Sequence, residues 1–413
     1  MLIPLVPEQG FLESEITPLA SFLIQLKTEF VSDILNKESL LSVQLLDMDL
    51  EHFCLYFERS NAQGMTLSFT DIINAKVYID FKLFKAITDA KRDNRYFKDK
   101  LVDPIVRYIN YLENGQVTKK SILSDLRGEH FIKHWDTTIK DLEQVFEFLI
   151  QQRWIFADDK IPYVTMLLPL LSFYQNLNNR EFSQATQSQL GQLKYWFFGS
   201  IIDHRYGGAR HGSTNVVIKE DCDLMKKLAL GDNPDKLYWQ KIRIDYSYDE
   251  FRKMDSISNA KSVGVHFLLY HKDPFLNLDN NEQVVMSGKI DMHHIFPENF
   301  LKKKFGKNSD EYDFSGSILN KMRIGKISNI LISDKAPKVY LNEIKEKYSN
   351  VVRSLMSHSI SNDCASKLLN GDLDDNYFKF IKSRYNEIEL HLKKLKGIGE
   401  KLSEGELSDD LWI

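Results

Sequence analysis

Apolar residues recur at three- and four-residue spacing through most of this chain, so the pattern predicts helix far more often than strand. Leu19, Phe22, Leu23, Leu26 and Phe30 fall on one face of a first helix, and Phe81, Leu83, Phe84 and Ile87 on one face of another. Leu101, Ile105, Val106, Ile109 and Leu112 mark the next, with Gly115 placed to stop it. Residues 122–150 predict one long helix whose inner side includes Leu142, Val145, Phe146 and Leu149. The polar stretch 176–192 predicts loops, and 193–202, with Tyr195, Trp196, Phe197 and Phe198, predicts core. After Tyr340 the chain reads as helix again, with Phe378, Ile381, Tyr385, Ile388, Leu390 and Leu392 packing inward and an acidic tail at 404–410 fraying. Strand signals are short, at 42–46 and 284–287, the second leading into 291–294.

Composition narrows the class. With 413 residues, 43% hydrophobic and 27% charged, the chain has the make-up of a soluble globular protein of two or three domains. The net charge of −4 supplies no global basic field, so any nucleic-acid contact must come from local patches. Cys54, Cys222 and Cys364 lack metal-ligand or redox spacing and read as buried thiols in a reducing cytoplasm. No signal peptide is evident, and the most apolar run, 164–174, is too short to span a bilayer and contains Pro169, so it predicts a buried helix and no membrane association.

One stretch carries chemistry: Asp291-Met292-His293-His294-Ile295-Phe296-Pro297, followed by Asn320-Lys321, Ser328-Asn329 and Ala336-Pro337-Lys338-Val339-Tyr340-Leu341. Successive strand residues face opposite sides, so the two rings cannot easily share one metal. One can meet a metal while the other addresses a nucleophile. Phosphodiester hydrolysis needs such a division: an activated water, charge neutralisation at the phosphate and stabilisation of the leaving oxygen. His293 is assigned to the metal and His294 to the general base, which an imidazole can serve near neutral pH. Asn320 would orient that base or tie the loop, and Asn329 would offer an amide oxygen to the metal. An oxygen-rich set without thiolates favours Mg²⁺ or Mn²⁺. Asp291 either assists the metal or caps the strand.

This order of residues is a His-Asn-Asn version of the HNH nuclease motif. It resembles the HNH domain of GmrSD-type restriction endonucleases, the modification-dependent Type IV enzymes, and of the related SspE-like phage-defence nucleases. The resemblance is carried by His293, His294, Asn320 and Asn329, and extends diffusely from about residue 40 onward. Phe57-Glu58-Arg59-Ser60-Asn61-Ala62-Gln63-Gly64-Met65-Thr66-Leu67 before a helix opening at Phe69 is similar to the end of the ParB-like domain of that family, with Ser60 where an aliphatic residue is usual. Ser68 is also a plain N-cap candidate with Asp71 three residues on. The family's Asp-Gly-Gln-Gln-Arg motif for nucleotide binding is absent, as is a Gly-rich phosphate loop. The resemblance therefore implies a truncated chain or one half of a split system, dependent on a ParB-like nucleotide-binding partner or on a missing N-terminal domain.

The expected organisation is mainly α, helical domains with a small ββα-metal HNH unit. It runs as 1–115, a ParB-like remnant with connecting helices; 116–283, helical; 284–345, the nuclease unit; and 346–413, helices packing on it. Lys302, Lys303 and Lys304, with Lys321 and Arg323, form a basic cluster suited to a DNA backbone, though a lysine run is equally the habit of a solvated helix face. The loop 203–214 could offer Arg205 and Arg210 to a phosphate or serve only as a connector. His130 and His134 lack an acidic partner in a metal-binding arrangement and read as surface or packing residues; His358 suits a helix end. Two functions remain: a metal-dependent DNA endonuclease restricting foreign or modified DNA, or a non-catalytic DNA-binding or partner-docking subunit of a split defence system.

Overall fold

The structure is a computed structural model that describes residues 18, 20–29, 68–156, 161–207, 209–255, 259–284, 291–348 and 350–406. The chain divides into two units, 1–66 and 67–413. In the first, residues 20–29 are helical. The strand expected at 42–46 and the motif at 57–67 lie outside the described residues. The structure is 69% helix and 3% strand, the mainly α class that the apolar spacing predicts.

The second unit begins with α1 (Phe69–Val77). Ser68 caps it: its hydroxyl accepts from the Asp71 N–H at 3.2 Å, and the Asp71 carboxylate accepts from the Ser68 N–H at 2.6 Å. Then come α2 (Leu83–Asp93), α3 (Val102–Asn114), α4 (Lys119–Asp125) and α5 (Gly128–Gln151). Gly115 ends α3 at φ 63°, the left-handed position that glycine adopts without a Cβ penalty. The long helix expected over 122–150 is two, because the chain turns extended at Leu126 and Arg127. Buried Leu126 anchors the break, and the His130 ring nitrogen Nδ1 accepts from the Arg127 N–H at 3.1 Å. His134 rests on the Glu113 carboxylate. Phe84 is exposed, since α2 turns Leu83, Ile87 and Ala90 inward instead.

The middle of the unit holds α6 (Leu167–Asn176), α7 (Gln187–Ile202), α8 (Thr214–Ala229), α9 (Lys236–Trp239), α10 (Tyr248–Lys253) and α11 (Ala260–Lys272). Pro169 sits in the first turn of α6, where its missing N–H costs no helical bond. The polar stretch after α6 forms 3-10 turns and then α7, which starts earlier than its apolar residues suggest because Thr186 and Gln189 make a reciprocal cap. Trp196, Phe197 and Phe198 are core, as expected. Gly264 of α11 lies where a Cβ would come within 2.4 Å of the Ile201 side chain, so the α7–α11 approach requires glycine. Cys222 and Cys364 are buried free thiols. Among the described residues no helix is long and apolar enough to cross a membrane.

Asp221 of α8 is fully buried and gathers polar groups from three elements. It accepts from Trp196 Nε1 at 3.1 Å, from Arg205 Nη2 at 2.6 Å, from Tyr238 Oη at 2.6 Å and from Tyr206 Oη. A carboxylate in this interior is tolerable only with such donors and a cation, here the 2% exposed Arg205.

The C-terminal part contains β1 (Asp291–His294), α12 (Glu298–Phe305), α13 (Asp310–Asp313), β2 (Lys321–Ile324), α14 (Lys326–Ile332), α15 (Pro337–Lys347), α16 (Val351–Ser357), α17 (Asn362–Asn370) and α18 (Tyr377–Glu404). Pro337 opens α15 at a position where proline favours a helix start. The strand expected at 284–287 falls mostly outside the described residues; Val284 itself is buried coil. α18 packs on α7, α9, α10, α11 and α17 through Phe380, Ile381, Tyr385, Ile388 and Leu392, while Leu390 faces solvent. His266 and His358 are buried in this half. The His266 Nδ1–H donates to the Ser262 carbonyl at 2.8 Å, and the His358 Nε2–H to the Leu276 carbonyl at 3.0 Å, with the His358 ring stacked 4.8 Å from Phe275.

Burial pushes the His266 and His358 imidazoles down to about 3, so both stay neutral where an unfolded chain with ordinary histidines near 6.5 takes up protons. Their contribution to stability is complete above pH 6.5 and is lost as pH falls toward 3. Each imidazole contributes a slope approaching about 1.4 kcal/mol per pH unit in that window. Urea unfolding at stepped pH checks this, with H358Q expected to flatten the curve. Arg205→Ala leaves Asp221 buried without its cation and is expected to cost about 3–5 kcal/mol in the same assay.

Candidate functional site

β1 and β2 form an antiparallel pair with Asp291 opposite Ile324, Met292 opposite Arg323, His293 opposite Met322 and His294 opposite Lys321. Opposed residues share a face and neighbours alternate. His294 therefore shares one face with Lys321, and His293 the other with fully buried Met322. The division of the two rings expected from their adjacency is present in the strand register.

The chain leaves β1 through Ile295, Phe296 and Pro297, and Asn320 holds this turn. Asn320 is fully buried at the end of the 3-10 turn Ile318–Asn320. Its backbone carbonyl accepts from the Ile295 N–H at 2.8 Å, and its Oδ1 accepts from the Phe296 N–H at 2.8 Å. Its Nδ2 donates to the carbonyls of Phe296 at 2.9 Å and Ser315 at 2.8 Å. Of the two roles open to Asn320 in the sequence, these bonds are those of a loop tie. Tyr340 of α15 closes the same turn from behind, its hydroxyl donating to the Ile295 carbonyl at 2.9 Å. Phe296 points into a cluster with Tyr377 and Phe380 of α18, ring centres 5.4 and 4.9 Å away.

His294 is half-buried, and burial, reinforced by the positive charge of Lys321, pushes its imidazole below the ordinary range; Glu298 opposes that shift. The ring is thus held toward its neutral, proton-accepting form. α14 follows β2 directly and packs on β1. Ser328 fixes it: its hydroxyl accepts from the Leu278 N–H at 3.0 Å and donates to the buried Asp279 carboxylate. Asn277 adds a second anchor, its Oδ1 accepting from the Gly325 N–H at 2.8 Å. Asn329, next to Ser328, is half-buried beside the inward face of α14. Among the described residues, no three His, Cys, Asp or Glu side chains gather as a metal-holding group.

The cations expected to track DNA separate into two sets. Lys302 and Lys303 are exposed on α12. Lys304, on the same helix, pairs with Asp375 at 2.5 Å. Lys321 turns inward, 9% exposed, and donates to the Asp255 carbonyl at 2.6 Å; Arg323 lies 4.1 Å from the centre of the Phe156 ring. Arg205 is committed to Asp221 in place of the phosphate contact considered for it, because the interior carboxylate needs its charge. Arg210 is half-exposed and paired with Asp203 at 3.3 Å and Asp245 at 2.8 Å. His358 is the C-cap of α16, the helix end expected for it, and it is buried there.

The sequence does not reveal Tyr340, Ser328 with Asp279, or Asn277 as supports of this region. Only the Ser328-Asn329 and Tyr340-Leu341 pairs gave a hint, since they recur in the motif without an assigned role for Ser328 or Tyr340.

Asn320→Ala removes the bonds of the Asn320 side chain to Phe296 and Ser315 and orphans buried groups at about 1–3 kcal/mol apiece. A loss of at least about 2 kcal/mol in unfolding free energy is expected. Asn320→Asp, which turns an acceptor toward the Phe296 and Ser315 carbonyls, is expected to be worse; thermal unfolding of the two variants ranks them.

No family model matches the chain. It is 26% identical over 375 residues to an uncharacterized protein, MJ0686, of Methanocaldococcus jannaschii, an alignment that covers 81% of this chain and 60% of the archaeal protein. The chain thus spans less than two thirds of the length of the curated relative it matches.

Proposed function

We propose that this chain is a metal-dependent DNA endonuclease of the HNH type, similar to GmrSD-like restriction enzymes, and that β1, β2 and α14 form its ββα unit. One observation carries the proposal. His293 and His294 stand on opposite faces of a strand whose exit is tied by Asn320, and the paired strand leads straight into the helix bearing Asn329.

The donors suit a hard divalent cation that keeps water and phosphate oxygens in its shell: one imidazole from His293 and one amide oxygen from Asn329 are too few for a closed structural site. Bound there, Mg²⁺ or Mn²⁺ would neutralise charge on the scissile phosphate and on the leaving 3′-oxygen. His294, kept neutral by burial, takes a proton from water; the resulting hydroxide oxygen bonds to phosphorus as the phosphorus–3′-oxygen bond breaks. Asn320 contributes by fixing the backbone that carries His294 and does not touch the reacting atoms. Lys302 and Lys303 are the exposed cations on which a DNA backbone would rest.

The inward turn of Lys321 and Arg323 leaves fewer cations for a DNA backbone and so favours, as a second reading, the partner-docking form of a non-catalytic DNA-binding or docking subunit, one half of a split defence system that waits for a ParB-like nucleotide-binding protein.

Incubation of plasmid and of modified phage DNA with Mg²⁺ or Mn²⁺ separates the two. Cleavage that is abolished by EDTA and reduced by about 10²–10⁴-fold in H294A, with the fold retained, is expected. Undiminished cutting by H294A defeats the assignment of the base. DNA binding without cleavage under any metal selects the subunit reading.

A further inference from the structure

Arg384 of α18 is 2% exposed, and among the described residues it forms no ion pair. Its bonds go to main-chain carbonyls instead: Nη1 donates to Leu319 at 2.8 Å and reaches Ile318 at 3.5 Å, and Nε donates to His358 at 3.3 Å. A buried guanidinium without a carboxylate is costly, and an apolar side chain of similar volume would fill the same space at less cost. What the guanidinium adds is direction, because its planar fork fixes the orientation of the carbonyls it meets.

The Ile318 and Leu319 carbonyls belong to the turn Ile318–Asn320, and Asn320 is the next residue along. From Asn320 the bonds continue to the N–H groups of Ile295 and Phe296, directly after His294. The route from α18 to His294 therefore alternates hydrogen bonds with short lengths of main chain, Leu319 to Asn320 and Ile295 to His294, through buried residues up to the half-buried His294. α18 also holds the facing 295–297 turn, through Phe380 and Tyr377 against Phe296, and Tyr377 Oη donates to the Phe314 carbonyl at 2.9 Å.

We propose that Arg384 is a positioning residue for the His294 site, setting the 318–320 turn through which Asn320 fixes the backbone that carries His294; as a statement about catalysis this rests on the nuclease proposal above. Arg384 touches no reacting atom, so its effect falls on kcat and not on DNA binding.

The test uses the full chain as wild type, R384M and R384K. R384M fills the volume but removes the charge and the donor to the Leu319 and His358 carbonyls, so the global stability of each variant is measured by urea unfolding and exchange is compared with it. Backbone amide hydrogen exchange is the first readout: the amides of Ile295 and Phe296 exchange at least about tenfold faster in R384M, while the amide of Ile109 in α3 is unchanged, and R384K lies between. DNA cleavage with Mg²⁺ is the second: kcat falls at least about tenfold in R384M with KM for DNA unchanged, and R384K restores part of it. Should R384M fail to fold, the same two comparisons are made with R384K. Unchanged exchange at Ile295 and Phe296 overturns the coupling. Wild-type cleavage rates in a variant whose exchange has risen overturn the positioning role and leave the nuclease intact. Faster exchange together with a wild-type protein that cuts no DNA under any metal sinks the nuclease instead, and the bonded route stands.

Discussion

The C-terminal half depends on a single buried amide. Asn320 has both a donor and an acceptor to satisfy, and at 0% exposure it is out of reach of bulk solvent. It meets both by bonding the backbone of Phe296 and the carbonyl of Ser315, while its own carbonyl receives Ile295. An amide can do this where neither an aspartate nor an apolar residue can, because the turn presents an N–H and carbonyls together. Two strands of four residues each would be marginal as a hairpin in water. They persist because the loop that joins them is sealed by this amide and pressed between α15 and α18.

Much of this architecture was written in the spacing of apolar residues, and the failures are instructive. Gly115 and the Ser68–Asp71 cap mark helix ends by local chemistry, and local chemistry is legible in a sequence. The break at Leu126–Arg127 was not, because Leu126 keeps the apolar rhythm while turning extended, so periodicity runs through it unbroken. Phe84 and Leu390 obey the helical period yet face solvent, since the width of an apolar face is set by the neighbour it meets and not by the helix alone.

The candidate site was legible in type and only partly in arrangement. Adjacent histidines on a strand must diverge, and they do. Charge was harder. Lys302 and Lys303 point outward, whereas Lys321, Arg323 and Arg205 turn in toward a carbonyl, a ring and a carboxylate. Nothing in a row of letters says which cations a fold will keep for itself. The deciding groups, Asp221, Asp255 and Phe156, lie far away along the chain, and only folding brings them together.

Chain order gives α18 a further meaning. The turn that ends at Asn320 cannot be bonded by Arg384 until the next 64 residues, Arg384 included, have been synthesised. At 5–20 residues per second that interval is roughly 3–13 s. During it β1 and the turn can exist on the ribosome, but without the guanidinium that orients the turn or the aromatic wall that covers Phe296. The histidine-bearing strand thus gains its support from α18 only after most of the chain has been made. A chain cut short before α18 would carry all four residues of the motif and still lack the support that holds them in register.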